Sequence, residues 1–85
     1  SYLNMSTNYL TEISPILFSD QNGLLILDLS KNQLNELDDF LFENVFNLKI
    51  LKLNSNKIKN ITRLVFRGLF NLKELYLSNN LIDLI

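Results

Sequence analysis

Eighty-five residues with a net charge of −1, 47% hydrophobic content and neither cysteine nor histidine exclude several classes of protein at once. The chain is no larger than one ordinary domain and too apolar to be disordered, and its interleaved acids and bases make no electrostatic case for nucleic acid or an anionic membrane as partner. The common general bases, thiol nucleophiles, thiolate metal ligands and disulfides are missing, and the longest apolar runs, such as Leu24 to Leu27, are too short to span a membrane.

In chain order, the first predicted element is a short strand at Leu3 and Met5, opening a comb that continues at Asn8, Leu10 and Ile13. The start has no basic n-region or apolar h-region and so does not read as a signal peptide. A return segment carries Ile16 and Phe18 and runs through FSDQNG. The second comb is Leu24, Leu27, Leu29, Asn32, Leu34 and Leu37, with LDL at 27–29 as its strand. Its return, DDFLFENVFN, holds Phe40, Phe42 and Val45. The third comb is Leu48, Leu51, Leu53, Asn56, Ile58 and Ile61, with LKL at 51–53; Leu64, Phe66 and Leu69 follow it. The fourth is Leu72, Leu75, Leu77, Asn80, Ile82 and Ile85, with LYL at 75–77.

Each comb from the second onward is the previous one moved by 24 residues. Between the leucines and isoleucines of a comb the gaps are 3, 2, 5 and 3, which neither a helix period of 3.6 nor a strand period of 2 generates. Only the central pair has period 2, so Leu51 and Leu53 point to one side of a short strand and Lys52 to the other. One coil cannot bury its own leucines. Stacked coils can, and their strands then line up as a parallel sheet. The Phe18, Phe42 and Phe66 column fills the far side of the coil, where the wider return segment carries loop or a turn of 3₁₀ helix.

Turns on this scale usually draw on glycine and proline, yet the chain has two glycines, one proline and 13 asparagines. Where a strand ends and the chain bends, backbone groups turn inward and cost roughly 1–3 kcal/mol each if unpaired. An Asn carboxamide offers two donors and an acceptor oxygen, enough for both sides of a bend. Asn8, Asn32, Asn56 and Asn80 are therefore expected to form a buried structural ladder. The pattern fails at Gln21, where later coils have Val45 and Leu69, and at Gly23, where they have Asn47 and Asn71. The first return is expected to be looser.

LLILDLSKNQL, LKILKLNSNKI and LKELYLSNNLI match LxxLxLxxNxL, and on these segments the chain resembles the leucine-rich repeat family over essentially its whole length. The 24-residue repeat with its phenylalanine resembles the "typical" class of extracellular proteins such as Toll-like receptors, Slit and small proteoglycans. The resemblance implies an α/β solenoid: a right-handed superhelix, a horseshoe segment with the parallel sheet on its concave face and irregular or 3₁₀ segments on its convex side. It implies one repeat segment over residues 1–85, with a partial repeat at 1–23, full repeats at 24–47 and 48–71, a partial repeat at 72–85, and no capping domains. Leucines left bare at both ends would then favour end-to-end self-association.

The same resemblance implies a non-enzymatic module that binds a protein ligand or co-receptor through the concave face, with no cofactor or metal. By column, the side chains on that face are Tyr2, Ile26, Ile50 and Glu74, then Asn4, Asp28, Lys52 and Tyr76, then Ser6, Ser30, Asn54 and Ser78. Tyr2, Ile26, Asp28, Ile50, Lys52, Glu74 and Tyr76 are the candidate partner-binding residues, a mixture of apolar, aromatic and charged groups that binding surfaces favour. Strands lie about 4.8 Å apart, so Asp28 and Lys52 are expected within ion-pair reach.

Two N-x-S/T sequons, Asn60-Ile61-Thr62 and Asn4-Met5-Ser6, are candidate N-glycosylation sites. Asn60 falls on an exposed turn, whereas a glycan on Asn4 would obstruct the concave face. Extracellular placement, secreted or as a cell-surface ectodomain, is the expectation; the lack of cysteine leaves a cytoplasmic scaffold as the alternative. A structural spacer in a longer solenoid is the other competing reading. Asp38 and Asp39 diverge on an extended chain and form no catalytic pair. Ser30 and Lys31 likewise point apart, and neither Gly23 nor Gly68 belongs to a phosphate-cradling motif.

Overall fold

The structure, a computed structural model, describes residues 1–82; Ile85, the last residue of the expected fourth comb, lies outside them. Four three-residue strands, β1 (Tyr2–Asn4), β2 (Ile26–Asp28), β3 (Ile50–Lys52) and β4 (Glu74–Tyr76), form one parallel sheet in chain order. The register repeats the sequence period: Leu3 faces Leu27, Leu27 faces Leu51 and Leu51 faces Leu75. The strands begin one residue earlier than the LxL tripeptides. Their hydrogen bonding nevertheless continues through the second leucine, whose N–H reaches the next coil: Leu29 donates to Lys52 O at 2.8 Å and Leu53 to Tyr76 O at 2.9 Å.

Alternation within each strand decides what is buried. Leu27, Leu29, Leu51 and Leu53 have no exposed surface, and Leu24, Leu34, Leu48 and Ile58 join them in one core between sheet and return segments. Each such side chain contributes roughly 1.5–3 kcal/mol of burial. Phe18 and Phe42 close the far side, stacked with centroids 6.3 Å apart, while Phe66 is partly buried at the core's margin. The Ile16, Phe40 and Leu64 column points outward, 79%, 52% and 42% exposed, so its shared period carries no shared burial.

The returns contain 3₁₀ turns at Pro15–Phe18 and Arg63–Phe66, and the middle return is a run of turns. Pro15 suits the first turn because it has no N–H to satisfy there, and Ser14 Oγ accepts the N–H of Ile16 at 3.3 Å as the cap. Gln21 is exposed where Val45 is buried, and a Cβ at Gly23 would meet nothing within 4 Å.

The sharp bend after each strand is made without glycine. Thr7, Lys31, Ser55 and Asn79 all take left-handed backbone conformations, with φ of 58°, 57°, 60° and 56°. Each precedes a ladder asparagine; the carboxamides of Asn32 and Asn56 are directed inward and buried, whereas Asn80 is half-buried and Asn8 exposed, so the expected burial holds for the two central members only. The N–H groups of Thr7, Lys31 and Ser55 remain paired, donating to Ser30, Asn54 and Ser78 carbonyls of the following coil.

Candidate functional site

The Asn ladder fixes the bends on which the exposed face depends. Asn56 Nδ2 donates to Leu53 O and Leu29 O, both at 3.0 Å, and its Oδ1 accepts the N–H of Leu34 at 3.1 Å. Asn80 does the same for Leu77 O, Leu53 O and the N–H of Ile58, and Asn32 for Leu29 O, Met5 O and the N–H groups of Asn8 and Leu10. Asn8 donates only within its own coil, to Met5 O and Ser6 O. A second, outer pair of amides also joins coils: Asn47 Nδ2 donates to Asn22 O and Asn71 Nδ2 to Phe46 O.

With the leucines turned inward, the opposite face of the sheet displays the candidate residues. Tyr2, Ile26, Ile50 and Glu74 are register partners in one row; Tyr2 is 57% exposed and the two isoleucines are half-buried. The next row is Asn4, Asp28, Lys52 and Tyr76.

In this second row the first two residues turn back on their own coil. Asn4 Oδ1 accepts the N–H and the hydroxyl of Ser6, at 2.9 and 2.6 Å. Asp28 Oδ1 accepts the N–H and hydroxyl of Ser30, at 3.0 and 2.6 Å, and is buried there. The expected Asp28–Lys52 ion pair is not formed, although the two are register partners. Lysine has only donors and cannot make the turn-back bond, so Lys52 leans toward the next coil, its Nζ 5.6 Å from the Tyr76 ring centroid. The Tyr76 hydroxyl donates to Glu74 Oε1 at 2.6 Å, and that bond, with the carboxylate's charge, raises the Tyr76 pKa above its ordinary 10.0.

Past the strand ends, Lys52 and Tyr76 border a shallow recess of about 390 Å³ that is also lined by Asp28, Ser30, Lys31, Asn54 and Ser78. Lys31 was not foreseen at this face. The signal for it is its place in the bend before Asn32, where the left-handed backbone brings its side chain beside the sheet.

Asn60 is exposed, its backbone bridged to Glu36, and the Thr62 hydroxyl of its sequon donates to Asp39 Oδ1 at 2.8 Å. Asp38 Oδ1 accepts the N–H of Phe40 at 2.8 Å, so the two neighbouring aspartates serve separate turns. Among the described residues, no group of histidine, cysteine, aspartate or glutamate is arranged to hold a metal ion, and no helix is long and apolar enough to cross a membrane.

A family model described as "Leucine rich repeat" matches residues 22–82, more than half of the chain. No curated protein matches the chain.

Proposed function

The chain belongs to the leucine-rich repeat family, a typical protein-interaction module, and from that premise we propose that it binds a protein ligand or co-receptor through the open face of its sheet. In this reading the repeats at 24–47 and 48–71 lie within a right-handed superhelix, with the open face concave and the 3₁₀ turns convex. The segment is non-enzymatic and belongs to the ectodomain of a receptor, adhesion or secreted protein.

The observation that carries the reading is the second row of that face. Asn4 and Asp28 are spent on internal bonds, while Lys52 and Tyr76 project beside the apolar Ile26 and Ile50. Core-building residues and projecting residues are separate sets, as a recognition surface on a rigid scaffold requires.

Charge reversal at Lys52 and truncation of Ile50 in the full-length protein test it. Loss of partner affinity with an unchanged melting temperature supports recognition by this face. Full affinity in both variants assigns the segment to the competing role of spacer. Extracellular placement is tested separately by expression in a glycosylating host and peptide mass mapping. Sugar on Asn60 supports it, and a bare Asn60 favours the cytoplasmic scaffold.

A further inference from the structure

We infer that the recess past the strand ends receives a carboxylate side chain of the protein partner, held between Lys31 and Lys52. The inference rests on the protein-binding reading above and adds the partner's chemistry to it. Neither lysine forms an ion pair among the described residues. The acid nearest to them, Asp28, is 8% exposed and its Oδ1 already accepts two hydrogen bonds from Ser30, so it neutralises neither ammonium by contact. Glu74, in the neighbouring row, accepts from Tyr76.

Asp28 and Ser30 also line the recess, bonded to each other, and two further groups add donors. Asn54 brings a carboxamide and Ser78 a hydroxyl, beside the two ammonium groups. An incoming carboxylate therefore meets four donor side chains against the one Asp28 carboxylate, whose Oδ1 is already bonded to Ser30, while an incoming ammonium meets two like charges. The Tyr76 ring, 5.6 Å from Lys52 Nζ, holds that lysine against the sheet, reducing the side-chain freedom lost on pairing.

The apolar row supplies the second half of the recognition. Ile26 and Ile50 stand two residues before Asp28 and Lys52, so the rows are separated by about 7 Å along the strand. An extended segment running along the strands places an apolar side chain on the isoleucines and an acidic one, two residues later, at the lysines. The structure thus favours a partner presenting an apolar-x-acidic strip.

The test is an NMR titration of the ¹⁵N-labelled chain with the peptide Ac-Thr-Val-Thr-Glu-Thr-NH₂ and its Glu→Gln counterpart. The Glu peptide is expected to shift the Lys31, Lys52, Asn54 and Ser78 amides and to bind about threefold more tightly than the Gln peptide, the scale of one exposed ion pair. In the Lys31→Gln, Lys52→Gln variant, checked for folding by its unshifted Leu51 and Leu53 amides, that ratio should fall to one. Equal binding of both peptides at Ile26 and Ile50 overturns the carboxylate site and leaves the protein-binding reading standing. A Glu preference that survives the double substitution overturns it too. Absence of any shift on the sheet face counts against both.

Discussion

The carboxamide of Asn56 binds Leu34 across the gap between neighbouring coils: its Oδ1 accepts the Leu34 N–H at 3.1 Å, while its Nδ2 donates to Leu29 O at 3.0 Å. One side chain thereby satisfies backbone at two points of the preceding coil as well as Leu53 O in its own. Leucine at position 56 would leave the buried Leu34 N–H unpaired, at roughly 1–3 kcal/mol, while Leu29 O keeps its bond from Asn32 and Leu53 O its bond from Asn80. Asn56→Leu is expected to lose about 1–3 kcal/mol in urea unfolding, a sizeable part of what a domain this size has. An unchanged midpoint would refute the role.

The two glycines should respond oppositely to a methyl group. A Cβ at Gly68 would lie 2.9 Å from both Glu43 O and Phe42 O, backbone atoms that cannot swing aside, whereas one at Gly23 would meet nothing within 4 Å. Gly68→Ala should cost about 1–3 kcal/mol by overpacking. Gly23→Ala should be neutral or gain up to about 1 kcal/mol from a less flexible unfolded chain. Thermal melts of the two variants read the contrast directly, and equal losses would argue against the close approach at Gly68.

Thr7 is the most strained of the four bend residues. It is β-branched at a φ of 58°, where Asn79 occupies the equivalent place with an ordinary left-handed preference. Thr7→Asn should stabilise by roughly 1 kcal/mol, because its backbone N–H bond to Ser30 O does not depend on the side chain. A lower melting temperature would show that the threonine side chain does something beyond tolerating the bend.

The sheet and its period are legible from the leucines because burial on one side of a strand has no other solution with those gaps. The inward turn of the asparagines is legible from the scarcity of glycine. What escaped was the behaviour of side chains off the core face with more than one acceptable partner. Register places Asp28 opposite Lys52, but the hydroxyl and N–H of Ser30, two residues along, bond it without ordering a long lysine side chain. The Phe40 column shares the period of Phe42 yet faces out, with Arg67 over the Phe40 ring at 4.6 Å. Periodicity records which positions are equivalent, not which way they point. The recess was missed for a similar reason, since Lys31 reaches it through a backbone bend and not through strand alternation.

Tyr76 supplies a pH-dependent check on the exposed face. Its hydroxyl must keep its proton to donate to Glu74, so the raised pKa means the bond persists below the ordinary tyrosine range and is lost as pH rises through the raised value. In Glu74→Ala the Tyr76 phenol should ionise at lower pH than in the native chain, read by ultraviolet absorbance or by the ring resonances. Identical titration curves would mean that the two side chains do not meet in solution.

The coil-to-coil role of the ladder is tested most directly by amide hydrogen exchange at Leu34 and Ile58, comparing the native chain with Asn56→Ala. Both amides should be protected in the native chain, since Asn56 accepts from Leu34 and Asn80 from Ile58. In the variant, Leu34 should lose its protection while Ile58 retains more of its own, because the Asn80 acceptor is untouched. Free exchange of Leu34 in the native chain, or equal loss at both amides in the variant, would contradict a scaffold held together by these asparagines.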